Sequence, residues 1–197
     1  MPANRKVALQ NGDVLLVVDV QNDFLPGGAL GVIHGDEVIP PLNAAIERFA
    51  ARGLPIIATR DWHPVNHCSF REWGGPWPPH CIANSPGAAF PAELRLPADI
   101  TVISKAATPD KDAYSGFEGT ELEAILRLLG VRRVFIGGLT TDYCVVNSTK
   151  DALGYRFQVY VLKDAIRAVN VDPDDGAKAE QEMTARGAEL VTLEQIA

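Results

Sequence analysis

The chain has 197 residues, 47% of them hydrophobic, with a formal net charge of -7 and an isoelectric point near 5.1. That length and apolar content fit one globular domain over residues 1–197 with a proper buried core. The acidic balance excludes a surface built to neutralise nucleic-acid phosphates, and no run approaches the roughly 18–20 apolar residues of a bilayer span. Residues 1–13 lack the apolar stretch of a secretory leader, so a cytoplasmic protein is expected, with neither nucleic acid nor membrane as partner. Cys68, Cys81 and Cys144 are an odd number without CxxC spacing, which points to thiol chemistry or plain burial rather than a disulfide framework.

Residues 14–20 are a nearly continuous apolar run, as expected of a strand covered on both faces of a parallel sheet. Similar runs recur at 54–59, 100–104, 133–137, 157–162 and, more weakly, 189–192. Helical spacing falls between them. Val38, Leu42, Ala45, Ile46 and Phe49 share one face of a helix that stops at Gly53. Thr120 and Glu123 have capping-box spacing for a second helix ending near Gly130. A third starts around 140–142 and runs to about Gly154; a fourth is announced by Asp172 and Pro173 and closes at Gly187. Strands alternating with helices predict an α/β fold. It has three layers, α/β/α, around a doubly wound, mostly parallel six-stranded Rossmann-like sheet. Residues 60–99 interrupt the alternation with seven of the fourteen prolines, all three tryptophans and three of the four histidines. A long loop so rich in aromatics reads as a functional insertion rather than a disordered one.

In a doubly wound sheet, ligands bind outside the carboxyl ends of the strands. Asp19 stands at that end of the first predicted strand, Asp61 and His63 follow the second, Lys105 follows the third, and Cys144 comes just after the fourth. Cys144 falls in the opening turn of a helix, where free N–H groups and the helix dipole favour a thiolate and can hold an oxyanion. Residue type alone would favour a small buried cysteine. Asp19 can take a thiol proton and return it to a leaving group, or it can cap a loop. Lys105 can lower the thiol pKa and hold the carboxylate by charge, or lie solvated at a strand end. Asp61 and His63, two residues apart, and His80 at the end of the loop offer a carboxylate and two imidazoles. That set leaves coordination positions open and suits Zn, and also Fe or Mn; the alternative is histidines bonding turns among prolines. His67 is either a further ligand or, as favoured here, a hydrogen-bonding partner that orients the loop. His34 stands apart and reads as structural. Phe24, Trp77 and Tyr114 come from three loops at the same edge and can clamp a flat ring, or act as core lids.

These residues closely resemble the nicotinamidase branch of the isochorismatase-like cysteine hydrolases. The resemblance is carried, in family order, by Asp19-Val20-Gln21-Asn22-Asp23-Phe24, by Arg60-Asp61-Trp62-His63-Pro64 with His67 and Ser69-Phe70, by Trp77-Pro78-Pro79-His80-Cys81, Lys105, Tyr114-Ser115-Gly116-Phe117 and Thr140-Thr141-Asp142-Tyr143-Cys144. It implies a triad of Asp19, Lys105 and Cys144, and one divalent metal, zinc first, held by Asp61, His63 and His80. It also implies an oxyanion hole from the N–H groups of Thr140 and Cys144, with a cis peptide between Leu139 and Thr140. The implied reaction is deamidation of nicotinamide, with pyrazinamide as a further substrate, through a Cys144 thioester in NAD salvage. The chain can be a monomer or a homo-oligomer on this reading. Ala106 departs from the pattern, which expects glycine after the lysine. The competing readings are a related cysteine amidohydrolase acting on carbamoyl or ureido compounds, in which the metal set is not expected, and a non-catalytic binding module.

Overall fold

Side chains alternate along six parallel strands and so divide the interior into two apolar layers, one on each face of the sheet. The computed structural model describes residues 6–197, and residues 1–5 of the amino-terminal stretch considered above lie outside the described residues. The strands are β1 (Asp13–Val18), β2 (Ile56–Asp61), β3 (Thr101–Lys105), β4 (Arg133–Leu139), β5 (Gln158–Arg167) and β6 (Glu189–Val191); the helices are α1 (Ile39–Ala50), α2 (Leu122–Leu128), α3 (Val146–Gly154) and α4 (Asp175–Ala185). The sheet runs β3-β2-β1-β4-β5-β6 and every pair is parallel. From β1 the chain winds outward through β2 and β3, then returns to the other side of β1 as β4. The carboxyl ends of β1 and β4 therefore flank the point where the strand order reverses, the position at which such sheets open a crevice.

Leu15 and Val17 of β1 point into the layer shared with Leu42, Ala45, Ile46 and Phe49 of α1. Val14, Leu16 and Val18 point into the opposite layer, against Leu122 and Leu126 of α2, Ala152 of α3 and Met183 of α4. β1 is buried along its whole length, which is why its sequence is apolar without alternation. Among the described residues, α1 is the one α-helix on the first face. The 62–100 segment adds Trp62, Phe90, Leu94 and Leu96 to that face, beside Val7, Leu9, Val32 and Ile196. That segment is ordered by short 3-10 turns and by isolated bridges between His63 and Ile82 and between Phe70 and Trp77.

Several predicted details differ. Thr120 and Glu123 form no capping box: the Thr120 hydroxyl donates to the Gly116 carbonyl (2.6 Å), Glu123 pairs with Arg127, and α2 starts at Leu122. α4 begins at Asp175 rather than behind Asp172, whose N–H donates to the Asp175 carboxylate (2.9 Å). β5 continues to Arg167, five residues past its expected end, because a register shift against β4 between Ile136 and Gly138 lets pairing resume. The third helix opens as a π turn, Thr141–Val145, before α3. Gly53, Gly130 and Gly187 stand in the left-handed region just past α1, α2 and α4, as the helix-stop signals predict. Among the described residues no helix is long and apolar enough to cross a membrane.

Candidate active site

Asp19 directly follows β1 and adopts φ +48°, so the chain leaves the sheet plane and the carboxylate turns back over the strand ends. The Thr59 hydroxyl donates to its Oδ1 (2.6 Å), and Lys105 Nζ faces its Oδ2 at 3.0 Å. Lys105, the last residue of β3, is buried among acceptors. Its ammonium donates to the Asp61 carboxylate, to the Ala113 carbonyl (3.1 Å) and to the Cys144 sulfur (3.5 Å). Ligand-type atoms of Asp19, Asp61 and Cys144 all lie within 4.8 Å of one another. Cys144 sits in the π turn after β4, which is wound by the Thr140 carbonyl accepting from the N–H groups of Tyr143 (3.2 Å) and Val145 (3.0 Å). The peptide between Leu139 and Thr140 is cis, as the resemblance implies.

The charge balance sets the resting state of the thiol. Burial pushes the Cys144 thiol well above its ordinary pKa, and the nearby Lys105 ammonium does not overcome it. The resting group is a thiol, because desolvation of a buried anion outweighs one favourable charge. Burial also raises Asp19, against the pull of Lys105. Burial acts the same way on Asp61, but there Lys105 and His63 outweigh it and hold the carboxyl below the ordinary range. The site thus joins an ionised carboxylate, a shared ammonium, and a carboxylate whose proton affinity is raised beside a thiol. Asp19 can accept the proton that Cys144 must lose to become a nucleophile.

Asp61, His63 and His80 bring one ligand atom each within 4.8 Å of the others. The Nδ1 of His63 faces the Ala106 carbonyl (3.1 Å) and that of His80 the Pro78 carbonyl (2.8 Å). A carbonyl only accepts, so each ring carries a proton on Nδ1, and Nε2 is the nitrogen left for a ligand. Burial lowers the pKa of His80 and keeps it neutral. His63 Nε2 stands 3.7 Å from Asp61 Oδ2. Tetrahedral bonds of about 2.1 Å put ligand atoms about 3.4 Å apart, so the three donors fit a divalent ion such as zinc. His67 has no nitrogen to spare: Nε2 faces the Lys111 carbonyl (3.2 Å) and Nδ1 takes the Ser69 N–H (3.2 Å) and faces its hydroxyl (2.7 Å). Its ring stacks on His63 at 4.2 Å between centroids. His34 is on the surface beside Glu37.

A cleft of about 410 Å³ opens over both groups, lined by Phe24, Trp77 and Tyr114 together with Asp61, His63, His80, Thr140 and Cys144. Trp77 Nε1–H donates to the Tyr114 hydroxyl (3.0 Å), which fixes two walls against each other. Tyr143, Leu30 and Val169 also line it and were not singled out from the sequence. Tyr143 contacts Trp77 and Tyr114 with ring centroids 5.2 and 5.4 Å away. Its one sequence signal is adjacency to Cys144. Val169 arrives because Asp142 accepts the N–H groups of Val169 (3.0 Å) and Asn170 (2.8 Å), a contact no local pattern announces.

A family model described as the isochorismatase domain matches residues 13–195. The nicotinamidase of Escherichia coli (strain K12) is 40% identical over 200 residues, covering 91% of this chain and 94% of that relative. Among solved structures, the pyrazinamidase of Pyrococcus horikoshii in complex with zinc is 53% identical, with a TM-score of 0.88 over 92% of this chain and 99% of that one. PnC1 from L. infantum in complex with nicotinate is 37% identical, with a TM-score of 0.91 over 98% of each chain. The chain belongs to the isochorismatase family, among its nicotinamidase and pyrazinamidase relatives.

Proposed function

We propose that the chain is a metal-dependent cysteine amidohydrolase that converts nicotinamide and water to nicotinate and ammonia in cytoplasmic NAD salvage, and that it also accepts pyrazinamide. The observation that carries this reading is the Lys105 ammonium, which contacts Asp19, Asp61 and Cys144 at once and so joins thiol, carboxylate and ligand triad in one buried hub. In this reading Asp19 takes the Cys144 proton as the sulfur attacks the amide carbon. The N–H groups of Thr140 and Cys144 receive the oxyanion. Asp19 then passes its proton to the departing ammonia, leaving a nicotinoyl thioester. The same carboxylate deprotonates the water that hydrolyses the thioester, and the returning proton restores the thiol. Phe24, Trp77, Tyr114 and Tyr143 hold the ring and exclude water from its faces. Asp61, His63 and His80 would hold a divalent ion, zinc by analogy with the Pyrococcus relative and iron or manganese by donor chemistry, which supplies a Lewis-acid site for the ring nitrogen. His67 acts on that site by packing behind His63.

The whole chain is read as one domain, with the 62–100 segment carrying His63 and His80. Ammonia release from nicotinamide by the metal-replete protein, and its loss on chelation, tests the reading. Release from a ureido compound but not from nicotinamide would move the chain to the carbamoyl-substrate branch. No release from either would leave only the binding-module reading.

A further inference from the structure

We infer that Gln21 and Asp23, which no step of the proposed reaction uses, are positioning residues that hold Asp61 and His80 in ligating geometry. The affinity of the triad for a divalent cation is then set from the turn that follows β1. This rests on the metal site of the proposed function.

The need for Gln21 arises from how β1 ends. Its last bond to β2 is from the Asp19 N–H to the Thr59 carbonyl (3.2 Å), and at Asp19 the chain turns away. β2 runs on to Asp61, which pairs with Lys105 on its β3 side. On the β1 side no strand remains to meet the Asp61 backbone. The Gln21 carboxamide takes that place. Its Oε1 accepts the Asp61 N–H (2.8 Å), and its Nε2 donates to the Asp61 carbonyl (2.8 Å) and to the Ala88 carbonyl (2.9 Å). Both donors of a fully buried amide are used, and both polar backbone groups of one ligand residue are held.

Asp23 does the equivalent for the other end of the triad. Its Oδ2 accepts the N–H of Cys81 (2.7 Å), the residue after His80, which stands at φ +46°. The Cys81 carbonyl in turn accepts the His63 N–H (3.0 Å), and the Ala83 N–H donates to the His63 carbonyl (2.8 Å). This bridge brings His80 beside His63, with ring centroids 4.9 Å apart. The carboxylate is seated against Gly87, where an added Cβ would lie 2.1 Å from Asp23 Oδ2. Two ligand segments far apart in sequence are thus tied to the same short turn, which begins at the residue proposed as the base.

The test measures two quantities on Gln21→Met, Asp23→Ala, Asp23→Asn and wild type. One is the zinc dissociation constant, by competition with a chromogenic chelator; the other is the thermal stability of the metal-free protein. Gln21→Met keeps the shape and loses all three bonds, and Asp23→Ala loses the hold on Cys81. Each is expected to weaken zinc binding by about 10- to 100-fold, as for loss of a group behind a metal ligand. Asp23→Asn keeps an oxygen for the Cys81 N–H and should recover most of that loss. A merely structural role would lower the metal-free stability and leave the zinc affinity of the folded protein unchanged. That result across the set overturns the inference while leaving the metal site standing. A wild type that binds no zinc overturns both. Should Gln21→Met fail to fold, the two Asp23 variants decide.

Discussion

Lys105 Nζ lies 3.5 Å from the sulfur of Cys144, yet its larger electrostatic task is to neutralise Asp19 and Asp61, two carboxylates buried beside it. Lys105→Met would leave those carboxylates without a cation in a site closed to water. Breaking a buried pair by removing one partner typically costs about 3–5 kcal/mol. Denaturant unfolding of the metal-free protein should register a loss of that size, together with loss of turnover. A loss below about 1 kcal/mol, the range of exposed pairs, would mean that the hub is solvated.

Asp19 must be ionised to receive the thiol proton, and burial raises its pKa. As pH falls, the carboxylate therefore protonates early and the rate falls with it. The acid limb of kcat/KM, taken with metal saturating, should have its midpoint above about 3.9, the value of an unperturbed aspartate. Asp61, held low by Lys105 and His63 against its burial, stays ionised through the same range. A midpoint below that value would remove Asp19 from the proton path.

His67 and His80 differ in what their free nitrogens do. His80→Ala removes a donor with an inward-facing Nε2, whereas His67→Ala removes a ring that props His63 and has both nitrogens engaged. Elemental analysis should find His80→Ala nearly metal-free and His67→Ala still loaded at saturating zinc, with affinity lowered by about 10- to 100-fold. Equal loss of metal in the two variants would make His67 a fourth ligand.

Ala106 occupies a position where the sequence pattern expects glycine, and the structure gives the reason. Its φ is +50°, and this conformation aims its carbonyl at His63 Nδ1. A side chain with a Cβ is strained there. Ala106→Gly should therefore stabilise the protein by about 0.5–1 kcal/mol, or about 1–4 °C in Tm for a chain of this size. A lower Tm would mean that packing of the buried methyl outweighs the backbone strain.

The strands and the chemistry at their ends were legible in the sequence for a common reason. Parallel strands buried on both faces read as short apolar runs, and the polar residue that ends such a run has to lie at the sheet edge. Asp19, Asp61 and Lys105 follow that rule, and Cys144 lies in the turn just beyond β4. What stayed hidden depends on contacts between distant segments. The π turn at Thr141–Val145 has no periodicity of its own, so Tyr143 gave no sign of facing the cleft. The capping box did not form because the Thr120 oxygen accepts the Leu122 N–H (3.3 Å) and Glu123 turns to Arg127, a pairing the spacing does not reveal. Gln21 is silent in sequence because its task, substituting for a strand that ends early, exists only once β1 and β2 are paired unequally. A helix start suggests a thiolate, and only the depth of burial shows that desolvation wins.

In the proposed reaction nicotinamide is cleaved through an acyl group carried on Cys144. Turnover of nicotinamide in the presence of hydroxylamine tests it most directly, because the amine intercepts a thioester but leaves no product from direct water attack. Wild type should divert nicotinoyl groups to the hydroxamate at the expense of nicotinate. Cys144→Ala, with its metal content and fold retained, should give neither product above about one part in a thousand of the wild-type rate. Wild-type turnover without any hydroxamate, or a Cys144→Ala variant that still deamidates nicotinamide above that level, would rule out the Cys144 thioester.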